Sequence, residues 1–179
     1  MVMVTITKAH PGDAEQISAL ADDYALKDKS EKISNSGFIV FPKPPEKFLK
    51  RIKHCQYFYV AKQGQKVVGY LLAYTLKEME DLNENFSYFG DLKSASEGKD
   101  IIFLDQIVVS RDYTGRGLGQ NLLDHLLNNL KDKHVFGFIL HSPTRNQRSI
   151  NFFQSKNNWQ LIKEVNIEGM LCGLYGLKY

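Results

Sequence analysis

The chain has 179 residues, 43% of them hydrophobic and 24% charged, with a formal net charge of +3. Those values fit one globular domain over residues 1–179 and exclude a disordered or collagen-like chain. The positive balance is too small for a nucleic-acid footprint, though it suits an anionic ligand. Cys55 and Cys172 stand far apart, match no metal-ligand spacing and read as reduced, buried thiols. The opening "MVMVTITKAH" lacks the features of a leader, and the longest apolar run, "VVGYLLAY", is far below the roughly 20 residues that span a bilayer. The expectation is a cytoplasmic protein with no membrane anchor and no metal.

In chain order, "MVTITKA" alternates β-branched and polar residues as a strand does. "HPGDAEQISALADDYAL" then offers Asp13 as a cap and Ile17, Leu20 and Tyr24 at helical spacing. From Lys27 to Pro45 the chain is polar around one apolar island, "GFIVF", and is placed to cover a site; "PEKFLKRIKHC" restarts a helix with proline just inside it. "YFYVAKQ" and "KVVGYLLAYT", separated by "GQ", predict a hairpin. "LKEMEDLNENFSYFGDLKSASEGKD" has no sustained period and reads as a long connection, either a lid or an insertion. "IIFLDQIVV" and "HVFGFIL" are apolar on both faces, and the leucine-rich helix between them implies a right-handed crossover with parallel strands. "NQRSINFFQSKN" reads as a short helix, and "WQLIKEV" with "MLCGLYGLKY" as a closing hairpin.

Between the first two-faced strand and the leucine-rich helix lies "SRDYTGRGLGQNLL", with glycines at 115, 117 and 119. Glycine costs a helix roughly 1 kcal/mol against alanine, so three at a helix start must serve another end. Free N–H groups of a first helical turn bind anions, and glycine lets a phosphate approach them. A dinucleotide fingerprint would need glycine at Gln120, and a P-loop would need a lysine that does not occur before Lys131.

"IVVSRDYTGRGLGQNLL" resembles the pyrophosphate loop of the GNAT superfamily of N-acetyltransferases, with Gly117 and Gly119 in its two glycine places. "NQRSINFFQSKNNW" is similar to that family's downstream helix, so the resemblance covers nearly the whole chain. It implies an α/β fold: a mixed central sheet whose parallel central strands splay apart, with helices on both faces. It also implies acetyl-CoA as cosubstrate. The cosubstrate would be held by Ile107, Val108 and Val109 along the strand, by Thr114, Gly115, Arg116, Gly117, Leu118, Gly119 and Gln120 in the loop, and by Asn146, Ser149 and Phe153 beyond. Val109 would bring a backbone N–H to the oxyanion. Thr114 stands where the family carries Arg or Gln, with Arg111 or Arg116 as alternative sources of charge. Phe153 or Gln154 occupies the place of the family's tyrosine acid.

Transfer requires a neutral amine, and an alkylammonium has a pKa of about 10.4, so the resemblance implies a base or a water chain. Asp105 is the first candidate, read as sharing strand parity with Ile107 and Val109 and as raised in pKa by apolar neighbours. The plainer alternative is an aspartate paired with a basic side chain. His141, at the end of the second parallel strand, is the other candidate, against a structural histidine. A thiol of pKa about 8.5 leaves with little help, so a lost tyrosine acid need not abolish activity. Glu78, Glu80, Asp81, Glu84 and Asp91 beside Phe86, Tyr88 and Phe89 would attract and cover a cationic amine. The expected partners are acetyl-CoA and an amine acceptor, with a homodimer compatible. The rivals are a non-catalytic acyl-CoA-binding or regulatory module and a nucleic-acid-binding domain.

Overall fold

The computed structural model describes residues 3–27, 30, 32–130 and 134–177; Lys178 and Tyr179, at the tip of the predicted last strand, lie outside it. The alternating opening segment forms β1 (Val4–Lys8), and the spacing of Ile17 and Leu20 produces α1 (Ala14–Asp22), whose buried stripe they form. Asp13 precedes α1 but does not cap it with its side chain. Its carboxylate instead accepts from His10 N at 2.9 Å and pairs with Lys62 at 2.6 Å. The proline at the start of α2 (Pro45–His54) sits at its first position, where no N–H is needed.

The predicted hairpin is β3 (Tyr57–Gln63) and β4 (Lys66–Thr75). The stretch after it is not one long connection. Thr75 accepts from Glu78 N while Glu78 bonds back to Thr75 N, and this capping box starts a short helix, α3 (Leu76–Asp81). A second, α4 (Phe89–Ala95), follows. Both are too short for the 3.6-residue period to register in sequence, and packing of Met79 and Leu92 into the core holds them.

Strand β5 (Ile101–Val109), helix α5 (Leu118–Asn128) and strand β6 (His134–Ser142) form the predicted parallel crossover. After the short β7 (Arg145–Asn146), α6 (Gln147–Ile150) widens into a π turn over Asn151–Lys156. The closing hairpin is β8 (Gln160–Ile167) and β9 (Met170–Leu177). Seven strands make one sheet in the order β1-β3-β4-β5-β6-β9-β8, antiparallel except at its centre; β2 (Ile33–Ser34) pairs in parallel with β7 beside it. One face of the sheet carries α1 and α2 over a core that includes Phe48, Phe58, Tyr70 and Tyr74; α5 and α6 cover the other over Leu71, Leu122, Leu126 and Trp159.

Glycine matters where β9 packs closely at Gly176. A Cβ on Gly176 would lie 2.5 Å from the Phe136 ring and 2.7 Å from Ile162 Cδ1. Overpacking of this kind costs about 1–3 kcal/mol, and each kcal/mol moves the melting point of a chain this size by about 2–4 °C. Gly176→Ala is therefore expected to lower Tm by several degrees in a thermal melt, and an unchanged Tm would refute this packing.

Candidate active site

The two parallel strands separate after three residue pairs. Ile101, Ile102 and Phe103 of β5 pair with His134, Val135 and Phe136 of β6, and the pairing ends there. From Leu104 onward the β6-facing edge of β5 is unpaired. Ser110 N reaches back to Val68 O in β4 at 2.9 Å, so by strand alternation the N–H and C=O groups of Ile107 and Val109 point to the open edge. Tyr24, in the turn after α1, donates to Val109 O at 2.7 Å. The N–H groups of Ile107 and Val109 and the Ile107 carbonyl remain for an extended ligand to pair with.

Two cavities open at this fork. One, of about 230 Å³, is lined by the Val108–Val109 end of β5, by Thr114, Gly115, Gly117, Leu118, Gly119 and Gln120, and by Arg148 and Lys156. The other, of about 310 Å³, is lined by Leu104–Ile107, by Lys43, Arg51 and Glu84, and by the rings of Phe38, Phe86, Tyr88 and Phe138. Ile107, Ser149, Phe153, Phe38 and Ile39 line both. The apolar island after Lys27 thus covers the place where the two spaces meet.

The glycine loop has the geometry of an anion site. Gly115 and Gly117 adopt φ of +75° and +78°, values that L side chains rarely take, and a Cβ on either would point into open space. Gly117 caps α5, and no side chain satisfies that cap. The first intrahelical bond of α5 runs from Asn121 N to Gly117 O, which leaves the N–H groups of Leu118, Gly119 and Gln120 to face the groove. Gly119 is different: a Cβ there would make ordinary contact with Phe152 and Val109.

Several expected ligand positions have other work. The Thr114 hydroxyl donates to Arg111 O at 2.8 Å, inside the turn. The guanidinium of Arg116 lies over the Tyr113 ring, and that of Arg111 over Tyr24; neither lines the groove. Arg148 and Lys156 bring the positive charge there instead, from the segment after β7, which no loop motif signals. Asn146 spends its amide on the fold: Nδ2 donates to Phe38 O at 3.2 Å and Oδ1 accepts from Ser149 N at 3.2 Å. Asn146 starts α6 and ties down the covering segment, while Ser149 and Phe153 sit at the junction of the cavities.

Asp105 corrects the parity reading. Leu72 pairs with Gln106 but the next residue, Ala73, pairs with Leu104, so Asp105 is the extra residue of a β-bulge. The bulge resets alternation: Asp105 faces Tyr74, on the side of Phe103, whereas Ile107 and Val109 pack on the opposite side. Its Oδ2 takes the Tyr74 hydroxyl at 2.8 Å and the Lys43 ammonium at 3.0 Å. Behind Tyr74, Arg51 is 1% exposed, donates from Nε to the Tyr74 hydroxyl at 2.7 Å and reaches Glu84 Oε2 at 2.6 Å. Burial alone would lower the Arg51 pKa, but Tyr74 and Glu84 outweigh it and raise it. Burial also pushes Tyr74 well up, reinforced by Asp105, so Tyr74 is a hydrogen-bond donor at neutral pH.

His141 is also the extra residue of a bulge, between Leu140 paired with Cys172 and Ser142 paired with Leu171. It lines neither cavity. Nδ1 bonds Glu164 Oε1 at 2.6 Å and Nε2 bonds the Tyr175 hydroxyl at 2.9 Å, and it is Tyr175 that reaches the larger cavity. A Cβ on Gly173 would lie 2.6 Å from the His141 ring, so glycine makes room for this contact. The helix after β7 lacks a tyrosine, yet Tyr88 and Tyr175 line the cavity from elsewhere. Tyr88 comes from the acidic and aromatic stretch read in the sequence as a cover for an amine, whereas Tyr175 arrives on β9, which no motif marks.

The acidic stretch is largely neutralised. Glu84 pairs with Arg51 and Lys47, Asp91 with Lys163 and Asp81 with Lys77, while Glu78 serves the α3 cap. Glu84 lines the cavity, and so does Glu168 from the β8–β9 turn. Cys55 and Cys172 are buried and free, with pKa values pushed by burial to about 12 and about 11. Among the described residues no cluster suits a metal ion, and no helix is long and apolar enough to cross a membrane.

A parallel pair that forks beside a glycine-capped helix, with a groove along the open strand edge, is an α/β architecture with room for an extended anionic ligand. A model of the acetyltransferase (GNAT) family matches residues 24–158. The chain belongs to that family. No curated protein matches it in sequence. Solved structures share its fold: smu.2055 from Streptococcus mutans at TM-score 0.68 and 19% identity, over 97% of this chain and 98% of that one; Arabidopsis thaliana Naa50 with the bisubstrate analogue CoA-Ac-MVNAL at 0.63 and 15%, over 98% and 99%; and Arabidopsis thaliana NAA60 with a bisubstrate analogue at 0.64 and 12%, over 97% and 98%.

The Glu84 carboxyl carries a checkable signature. Burial would raise its pKa, but the Arg51 hydrogen bond and charge, aided by Lys47, lower it. A lowered native value contributes stability that is present above the unfolded value of about 4.3 and is lost as pH falls through the native one. Melts of the wild type and Glu84→Gln are expected to differ most near neutral pH and to converge below about pH 4. A constant gap would refute the role given to this pair.

Proposed function

We propose that the protein transfers an acetyl group from acetyl-CoA to a primary amine by direct attack in a ternary complex, with one acetyltransferase domain over the chain. The observation that carries this reading is the meeting of two cavities across the unpaired edge of β5. The pyrophosphate would take the N–H groups of Leu118, Gly119 and Gln120, with Arg148 and Lys156 for charge. The pantetheine would run along Ile107–Val109 as an added strand. Its thioester would then lie at the junction beside Ile107, Ser149 and Phe153, where a backbone N–H can meet the oxyanion.

The acceptor enters from the larger cavity. Asp105, the carboxylate nearest the fork, is the base of this reading: Tyr74 and Arg51 orient it, and its proton partner is an ammonium. His141 acts through Tyr175, as the middle of a chain from the exposed Glu164 to the cavity, which can exchange a proton with solvent. The CoA thiol, with a pKa of about 8.5, leaves without a dedicated acid. Aromatic walls support an acceptor whose amine sits on an apolar body. The Naa50 ligand joins CoA through an acetyl group to a peptide, which makes a peptide amine one acceptor to try beside small amines. The occupation of Asp105 by Lys43 and the lack of a tyrosine in the helix after β7 favour, as a second reading, a module that binds acyl-CoA without turnover.

Gly117→Glu places a side chain at φ +78° and a negative charge in the cradle. Titration with CoA is expected to show binding lost while the fold persists by circular dichroism; retained affinity would remove the loop from the site. Asp105→Asn is expected to lower acetyl transfer about 10²-fold at neutral pH and less at high pH, where free amine is plentiful. Thiol release across pH checks this, and an unaltered profile would exclude Asp105 as base. CoA binding without turnover on any amine would favour the second reading.

A further inference from the structure

Lys43 stands where an incoming ammonium would stand. Its Nζ is 3.0 Å from Asp105 Oδ2, and both side chains line the cavity that meets the cosubstrate groove at Ile107. The backbone there is tied down: Ser18 Oγ donates to Lys43 O at 2.9 Å, and Pro44 begins the approach to α2. The part free to move is the four-carbon stem. Glu84, the neighbouring acid, is held by Arg51 and Lys47, so among the described residues Asp105 is the one carboxylate in ion-pair contact with Lys43.

We infer, on the strength of the transfer reading above, that Lys43 is itself an acceptor and that the protein acetylates its own Lys43 Nζ when acetyl-CoA is bound and no external amine fills the cavity. The ammonium gives a proton to Asp105. The freed lone pair attacks the thioester carbonyl carbon, forming the C–N bond. The tetrahedral intermediate collapses with cleavage of the C–S bond, the electron pair leaving on sulfur. The nitrogen loses a second proton and the thiolate takes one up, so the balance is one acetyl-lysine, one CoA thiol and one proton released. The product is a neutral amide, which removes the cation paired with Asp105 and leaves its bulk in the acceptor space. Self-acetylation would thus report on, and restrain, an enzyme idle in acetyl-CoA.

The experiment incubates the purified chain with saturating acetyl-CoA and no amine, and follows acetylation of each lysine by peptide mass spectrometry. Lys77, 78% exposed, serves as the reference for uncatalysed labelling. Lys43 is expected to gain an acetyl group at least about tenfold faster than Lys77, at a rate constant independent of protein concentration. Asp105→Asn should slow labelling of Lys43 about 10²-fold and leave Lys77 unchanged. Lys43→Arg should abolish the fast label while CoA titration remains normal. If acetyl-CoA binds and an added amine turns over but Lys43 labels no faster than Lys77, self-acetylation is overturned and the transfer reading stands. A rate constant that grows with protein concentration overturns the intramolecular route. Absence of acetyl-CoA binding removes both readings.

Discussion

Three residue pairs hold β5 against β6, and everything the protein can do chemically depends on their parting after Phe103. Where parallel strands give up their mutual hydrogen bonds, packing against their faces must hold them. Here aromatic side chains do so from both faces. Tyr88 lies with its ring centroid 5.2 Å from both Phe103 and Phe138, one on each strand. On the opposite face Phe153 and Trp159 pack at 4.6 Å beneath the fork. Burial of such rings is favourable in itself, so the open edge is supported by packing rather than by strain.

Each departing strand carries a bulge beyond the fork, at Asp105 in β5 and at His141 in β6. A bulge shifts one residue out of alternation, and both shifted residues are polar and tied to a tyrosine. The result is two chains of hydrogen bonds on different sides of the cavity. One runs from Glu84 through Arg51 and Tyr74 to Asp105; the other runs from the solvent-facing Glu164 through His141 to Tyr175. The first is buried and ionic, which makes it costly unless every member is satisfied, and every member has a charged or hydroxyl partner. The second connects the cavity to water.

The glycine loop follows a different logic. It needs little tertiary support, because helix α5 brings its own free N–H groups and the left-handed Gly115 and Gly117 turn the chain so that they face outward. That is why the loop was legible as a motif, while the cations that share its groove, Arg148 and Lys156, were not: they stand more than twenty-five residues further along and meet the loop only across the groove.

Sequence by itself determined the periodic elements, the parallel crossover, the hairpins and the glycine loop, because each rests on local alternation, helical spacing or backbone freedom. The family resemblance also put forward Asp105 and His141 as candidate bases. Tertiary structure alone decided which way they face. Strand parity cannot register a bulge, which depends on pairing with β4 or β9, so Asp105 turned out to share a face with Tyr74 rather than with Ile107. Helix α4 after β4, the pairing of Glu84 with Arg51 and of Asp91 with Lys163, and the placing of Tyr175 at the cavity are of the same kind. Each arises from contacts between segments distant in the chain, and no local pattern of residues encodes such contacts.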